Sequence, residues 1–435
     1  MTDPATEWRP LPWLGRKVDW RQEGYASFVG AVLVIPQGIT FAWLAGLPPE
    51  YGIYCAVVIS LLTGLFSGVP IIAGPNTAVS VLIGMTVLPL AGRGSPLYVE
   101  MVMMLTFIVG VMQLLIWLCR GALIFRYLRR PVIDGLISGV GVMIMLASLD
   151  GWLGISEFDS LFFFEKLSVL MAAGHELINP HAFAIGAVTI GAGFVSTLFW
   201  RRYTILVAMA AGYGAGLVSL AGTAQVDSGL ELLGTLPLRL LPLSGLQTDR
   251  EFLLTMVDMI PGAAGIAVLG MAQSLILAQD LNPGGTSRSW HREAFTLSLA
   301  NLLAPFFSAF AGAGSFNRTV INRELGSRSP VVAILCAAWL VFLIAVFRPV
   351  FSIMPMAVIA GVLFVVGAGM VKWSVFLAWR SRKGPFVRFL AVFLTVILMG
   401  LPSAILVAFV LSVVMALLQG TPPRVVSGHP GQTAV

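Results

Sequence analysis

Apolar residues run along this chain in blocks rather than in alternation. Seven blocks lie near 24–44, 50–67, 74–90, 97–119, 131–149, 182–200 and 203–221, and seven more near 251–279, 293–311, 314–327, 331–347, 349–371, 386–400 and 402–419. A helix needs about 20 apolar residues to cross the hydrocarbon core of a bilayer, and most blocks approach that length. The blocks at 74–90 and 314–327 read as too short for full helical spans. Each opens on an irregular, glycine-containing stretch, Ala73-Gly74-Pro75-Asn76 and Ala311-Gly312-Ala313-Gly314. Both are third in their set of seven. Because seven is odd, the two sets cross in opposite directions, which is the arrangement of an inverted repeat. The fifth block of each half is read as opening on Arg-Pro-Val, at Arg130-Pro131-Val132 and Arg348-Pro349-Val350, an echo short enough to arise by chance. The pattern predicts an all-α polytopic membrane protein with 14 transmembrane segments in a 7+7 inverted repeat. The connectors 150–181 and 222–250 have mixed character and read as interfacial helices or covers.

Charge tests the count. With the N-terminus inside, the inner connectors hold 20 of the 26 Lys and Arg residues. The outer ones hold Arg93, Lys166, Arg239, Arg250 and Arg348, and Arg318 alone is left within the membrane. Cytoplasmic loops carry such an excess, so both termini are expected in the cytoplasm of a cell or inner membrane. Composition agrees: 58% of the 435 residues are hydrophobic and 11% charged, and the mean hydropathy is +0.92. A soluble domain carries about 25% charged residues. The net charge of +6 reflects basic membrane-flanking loops and gives no reason to expect nucleic acid. Residues 1–23 hold Arg9, Arg16, Lys17 and Arg21 but no apolar run ending in a cleavage site, so no signal peptide is expected and Trp8 to Trp20 reads as interfacial. Cys55, Cys119 and Cys336 lie far apart and suggest neither a disulfide framework nor a metal site. His175, His181, His291 and His429 fall in polar connectors or the tail and read as solvated. No metal and no cofactor is expected.

Irregular backbone at membrane depth survives only where protein or a watery cavity surrounds it. The Gly74 and Gly314 stretches are therefore expected to face each other inside the protein. A half-helix starting at each leaves unpaired N–H groups and a positive dipole end at the midplane, and two such ends form an anion site from backbone alone. Arg318 lies one turn into the second short helix, in Gly314-Ser315-Phe316-Asn317-Arg318-Thr319. A cation there costs about 2.5–3.5 kcal/mol or more on insertion scales, which makes it a functional candidate. Gln37 and Phe41 are four apart, on one helix face, in Ile35-Pro36-Gln37-Gly38-Ile39-Thr40-Phe41; such spacing alone more often marks plain packing. Gln273 is a polar residue deep in an apolar helix, and an interhelical hydrogen bond would account for it as well as a ligand would. Asp258 and Asp280 bracket that helix near its ends and are not expected to be central ligands.

These stretches resemble the SulP family of sulfate permeases and related inorganic-anion transporters. The strongest likeness lies in Val34-Ile35-Pro36-Gln37-Gly38-Ile39-Thr40-Phe41-Ala42, in Gly46-Leu47-Pro48-Pro49-Glu50-Tyr51-Gly52-Ile53-Tyr54 and in Ala73-Gly74-Pro75-Asn76-Thr77-Ala78. Gly314 to Thr319 is similar to the family's Gly-Ser-Phe-Ser-Arg-Thr motif, with Asn317 at its second serine. The resemblance implies a core domain (24–127 and 251–347), a gate domain (128–250 and 348–420), an N-terminal segment (1–23) and a cytoplasmic tail (421–435). It implies a substrate between the starts of the third and tenth segments. The candidate ligands are then Gln37, Phe41, Asn76, Thr77, Gln273, Ser315, Phe316, Asn317 and Arg318, and the core moves against the gate like an elevator.

Two departures bear on mechanism. The family usually carries a cytoplasmic STAS domain after the last span, and only about 15 residues follow Gln419 here. Regulation and dimer contacts through that domain are not assumed, and a homodimer is left open. Many bacterial members have a carboxylate where Gln273 stands. An amide cannot titrate, which weighs against H⁺ or Na⁺ as a coupling ion. The expected partners are the lipid bilayer and one small anion: sulfate, bicarbonate, chloride or a small carboxylate. A nucleobase symporter of the same architecture would want central carboxylates. An intramembrane enzyme finds no HExxH or GxSxG. An anion channel stays open as an alternative.

The charge asymmetry yields a test of topology. In a background without Cys55, Cys119 and Cys336, Ser381→Cys is expected to react with impermeant thiol reagents only from the cytoplasmic side and Ser156→Cys only from outside. Labelling of both from one side refutes the 14-segment count.

Overall fold

The computed structural model describes residues 18–119, 130–155, 178–200, 203–222, 229–234, 250–282, 287–377 and 383–399, with a few positions near 11–14 and 404–412. The predicted segment at 402–419 therefore lies largely outside the described residues, as do most of both long outer connectors, the N-terminal segment and the tail.

The first half contains α1 (Trp20–Leu44), α2 (Pro49–Phe66), the strand β1 (Ala73–Gly74), α3 (Thr77–Val87), α4 (Pro96–Leu118), α5 (Arg130–Ala147), the short α6 (Leu149–Leu153), α7 (Pro180–Phe199) and α8 (Thr204–Gly222). The second contains α9 (Arg250–Leu281), α10 (Ser287–Leu303), the strand β2 (Ala313–Gly314), α11 (Phe316–Glu324), α12 (Val331–Ser352), α13 (Met356–Met370), the short α14 (Trp373–Leu377) and α15 (Lys383–Met399). Several starts are written locally. Pro49, Pro96 and Pro180 open α2, α4 and α7, where a missing N–H costs nothing. Asp19, Asn76, Ser95 and Asn179 accept hydrogen bonds from first-turn N–H groups. Among the described residues seven helices are long and apolar enough to cross a membrane, and four shorter ones are also apolar. Outward faces carry Phe199, Val218 and Leu377, as a lipid-facing surface requires.

The helices pack in two groups. In one, α1 packs on α2 and α12, α2 also packs on α12, and α4 packs on α9 and α10. In the other, α7 lies on α8, and α13 packs on α5, α7 and α8, with α15 against α5. The groups meet where α1 approaches α8 and α13. Pro36, Ile39 and Thr40 face Met209, Met354 and Val358 there across a small cleft.

Two buried carboxylates tie connectors to the first group. Glu23 on α1 accepts from the Ser327 hydroxyl (2.7 Å) and from the backbone N–H groups of Arg328 (2.8 Å) and Ser329 (2.9 Å), ahead of α12. Glu293 on α10 accepts from the Ser67 hydroxyl (2.7 Å) and the Gly68 N–H (2.8 Å), just after α2. Charge-assisted bonds of this kind are about twice as strong as neutral ones.

Three expectations change. A two-residue antiparallel pair, β1 with β2, stands among the helices. The Arg348-Pro349-Val350 echo falls in the last turns of α12, not at the start of the next span. Pro349 ends no helix there, because the break comes at Ile353–Pro355. Leu233 N–H bonds Met354 O, Gly234 N–H bonds Ser352 O and Met356 N–H bonds Glu231 O, and this strand-like pairing draws the backbone out of the helix. Finally, His181 and His291 are half-buried. His181 Nδ1 lies 2.9 Å from Ser219 Oγ, and His291 stacks on Trp117. His175 and His429 lie outside the described residues.

The crossing of α1 and α2 is backbone against backbone. A methyl group built on Gly52 would lie 1.9 Å from Gly38 O. Gly52→Ala is expected to lower stability by about 1–3 kcal/mol, the scale of overpacking, read as a lower thermal midpoint in detergent. Gly191→Ala, where the added methyl meets nothing within 4 Å, should leave the midpoint level or raise it.

Candidate functional site

The two irregular stretches meet. β1 and β2 are antiparallel, with Ala73 opposite Gly314 and Gly74 opposite Ala313, and all four residues are buried. A pair of two-residue strands satisfies few of its own backbone groups, and the rest need partners where water is scarce. Side chains from the surrounding helices supply them. Ser60 Oγ donates to Ala73 O (2.7 Å) and Gly314 N–H donates to Ser274 Oγ (2.8 Å). Asn301 brackets Gly312: its Oδ1 accepts from the Gly312 N–H (2.8 Å) and its Nδ2 donates to Gly312 O (3.0 Å) and to Gln113 Oε1 (2.9 Å). Thr106 Oγ1 accepts from the Ala311 N–H (3.0 Å). Each half also holds the other. Ile72 N–H donates to Thr319 Oγ1 (3.1 Å), Ser315 N–H to Ile72 O (3.1 Å) and Asn76 Nδ2 to Gly314 O (3.4 Å).

α3 and α11 leave this pair with their N-termini toward it, so two positive helix ends converge. Asn76 caps α3 through its Oδ1. Ser315 stands at the N-cap of α11 but makes no side-chain cap bond, which leaves first-turn donors there.

Arg318 lies at the centre of this arrangement. It is 1% exposed. From α11 it reaches across to the first half, and its Nη2 donates to Pro75 O at 2.7 Å. A methyl group on Gly74 would lie 2.9 Å from Nη1 and make the guanidinium shift, and the φ of +154° at Gly74 is one that L side chains rarely adopt. Arg318 Nε and Nη1 are buried without a partner. In a low-dielectric interior such donors are costly unless something accepts from them.

The other candidates lie around these groups. Gln37 and Phe41 are buried on α1, a helix that packs on both α3 and α11. Thr77 is buried at the start of α3. Gln273 precedes the Ser274 that holds Gly314, and its Oε1 is buried without a partner. α9 runs antiparallel to α3, with Gly262 against Thr86, so Gln273 comes level with Pro75 and Asn76 near the start of α3. Ser315 is half-buried. Phe316 and Asn317 belong to the first turn of α11, but their side chains lie outside the described residues. Asp258 and Asp280 are exposed, away from the pair. Sequence reading passed over Ser60, Thr106, Gln113, Ser274 and Asn301. Ser60, Thr106, Gln113 and Asn301 are isolated polar residues in apolar blocks, the same signal that singled out Gln273, and Ser274 stands next to Gln273.

A model of the sulfate permease family matches residues 22–392. "Sulfate transporter 4.1, chloroplastic" of Arabidopsis thaliana is 25% identical over 418 residues, covering 92% of this chain and 58% of that protein. Prestin of Homo sapiens is 24% identical over 427 residues, covering 90% of this chain and 56% of that protein. The chain thus spans somewhat more than half the length of these relatives. Among solved structures, the transmembrane domain of the cyanobacterial bicarbonate transporter BicA superposes with a TM-score of 0.75 at 20% identity, covering 91% of this chain and 99% of that one. The murine anion transporter Slc26a9 in its inward-facing state gives 0.79 at 18% identity, covering 94% and 70%. At these identities the structural likeness speaks for the fold, and a 7+7 repeat of 14 spans agrees with it. With a family match across most of its length, and with the membrane-spanning helices just described, the chain belongs to the sulfate permease family, whose members are transporters and not enzymes.

Proposed function

We propose that this protein is a secondary transporter that binds one small anion between the N-termini of α3 and α11. The observation that carries this reading is Arg318, buried at the paired strands with two N–H groups unmet. Desolvating an anion is costly. Preorganised donors and two helix ends offset that cost without reorganisation. The unmet Arg318 groups are donors, the wrong partners for a cation. Sulfate and bicarbonate are the leading substrates by analogy with the named relatives, and chloride or a small carboxylate suits the same chemistry.

Transport on this reading is a sliding of the core, 24–127 with 251–347, against the gate, 128–250 with 348–420. The contact between the two helix groups supports it. The cleft there is lined by apolar side chains and Thr40, whose hydroxyl already donates to Pro36 O. Motion along such a seam breaks few polar contacts. The Gln273 amide does not titrate, so exchange or uncoupled movement is favoured over H⁺ or Na⁺ symport.

The decisive assay uses purified protein in liposomes, with uptake of labelled sulfate, bicarbonate, chloride and fumarate under imposed ion gradients. Uptake of none of them sinks the proposal. Arg318→Gln is expected to weaken anion affinity about ten- to a hundredfold, the worth of a charge-assisted hydrogen bond, with the elution profile unchanged. Unaltered affinity would make Arg318 structural.

Position 273 yields a separate prediction on pH. A carboxylate there would cancel part of the positive potential when ionised and restore it when protonated. Anion and proton binding would then be linked, and the linkage is reciprocal. The unmodified protein is expected to show little dependence on an imposed pH gradient. Gln273→Glu is expected to take up its anion faster as the pH on the substrate side falls. The measurement is initial uptake over a series of outside pH values at clamped membrane potential. Concentrative uptake driven by H⁺ alone in the unmodified protein would exclude position 273 as the determinant.

A further inference from the structure

Acidic residues are spread unevenly over this chain. No Asp or Glu follows Glu324, while Lys and Arg continue as far as Arg424. The inner end of the first helix group is mixed in sign: Arg21 lies between Asp19 and Glu23, Arg292 beside Glu293 and Arg323 beside Glu324. The stretch after α13 is of one sign. Lys372, Arg380, Arg382, Lys383 and Arg388 follow one another there with no acid among them.

The same stretch carries an uncovered apolar face. α14 has no buried residue. Phe376 turns toward α15, its ring centroid 5.1 Å from that of Phe389 and 5.5 Å from that of Phe393. α14 therefore lies alongside about the first three turns of α15 rather than below them in the cytosol. Trp373 and Leu377, four apart on one face, are 61% and 85% exposed. Indole rings at such a depth favour the headgroup level of a bilayer. Lys372 is exposed just ahead of α14. Arg388 Nε donates to Gly384 O at 3.0 Å, one turn back toward the start of α15, which carries its charge out of the apolar layer. The stretch is also fastened to the second helix group, since Lys372 N–H donates to Ser138 Oγ of α5 at 3.0 Å.

We infer that this face is a docking surface for anionic phospholipid of the inner leaflet, whose acyl chains cover Trp373 and Leu377 while its headgroup pairs with Lys372 and Arg388. The combination of features selects this occupant. An apolar face beside uncompensated cations matches an amphiphile with a negative head. A zwitterionic lipid covers the apolar part but brings a cation of its own to the charged part. Lipid held here is held by α13 and by α5, which packs on it, so it anchors the second helix group in the leaflet. The first group, whose inner charges are mixed in sign, has no comparable hold. The inference uses the expected cytoplasmic side of the 372–388 stretch and is independent of which anion is carried.

The test places a fluorophore on Leu377→Cys in the chain freed of Cys55, Cys119 and Cys336, reconstituted in phosphatidylcholine liposomes. Nitroxide-bearing phosphatidylglycerol or nitroxide-bearing phosphatidylcholine is added in increasing mole fraction, and quenching is read. Phosphatidylglycerol is expected to reach half-quenching at a mole fraction at least about fivefold lower, the worth of one cation at a charged surface. Salt at about 1 M, where the screening length is about 3 Å, should shrink that advantage. Lys372→Gln combined with Arg388→Gln should shrink it at low salt, with quenching by phosphatidylcholine unchanged. Native mass spectrometry of the unmodified chain gives the same comparison without a substitution, as retention of phosphatidylglycerol over phosphatidylcholine. Equal quenching or equal retention of the two lipids overturns the inference. Absence of quenching by either lipid also overturns it, and a cross-link between two chains at position 377 would then identify a second copy as the occupant. None of these readouts requires transport, so their failure leaves the transport reading standing.

Discussion

Everything at the centre of this molecule depends on one requirement: four residues of non-helical backbone, buried in a membrane protein, must have all their polar groups answered. Help comes as side-chain hydrogen bonds to the β1–β2 pair and its flanking residues Ile72, Ala311 and Gly312, from α2, α4, α9, α10, α11 and the Asn76 cap of α3. That help fixes the register, with Ala73 opposite Gly314. The register in turn sets the Arg318 guanidinium beside Pro75 and aims two helix N-termini at one place. An isolated helix N-terminus would offer a weak anion site. Two such ends, joined by paired backbone and crossed by an arginine, form the preorganised one proposed above.

The surroundings of the pair are stiff for a second reason. Glu23 and Glu293 each bind consecutive groups of a connector. One connector leads from α11 into α12 and the other leads from α2 toward β1. The α11 unit is therefore held beyond its C-terminal end, and the β1–α3 unit at the connector that leads into it. Strain arriving at either connector is passed to buried carboxylates rather than to the site. The backbone contact of Gly38 with Gly52 adds to this, since two helices that close have little freedom to tilt.

Much of the architecture was legible because a membrane imposes a simple code. Apolar blocks delimit spans, and the short blocks stand out by length. Arg318 was conspicuous for a related reason, as the one cation in an apolar stretch. The limits of the code are equally physical. Arg-Pro-Val at 348–350 looked like a span boundary, yet Pro349 is tolerated in the last turns of α12, and the break is set by pairing with 231–234, which hydropathy does not record. Strand pairing across two halves was expected only as proximity, because nothing local encodes a partner so distant. Ser80 carried only the weak signal of a lone polar residue in an apolar block. A serine in an apolar helix usually bonds its own backbone, and only coordinates reveal that this one does not.

The interlocking of the halves has a consequence for how the chain is made. Asn76 and the Gly314 carbonyl it holds are 238 residues apart. At roughly 5–20 residues per second, the ribosome delivers the second strand about 10–50 s after the first. During that interval the first half sits in the bilayer with the backbone around Gly74 unanswered, in a medium that penalises each such group. The nascent half must wait in another arrangement, hydrated at the Gly74 stretch or with that stretch held outside the hydrocarbon. On this account the protein does not mature span by span. It closes late, when the second strand arrives and zips both halves together in one step.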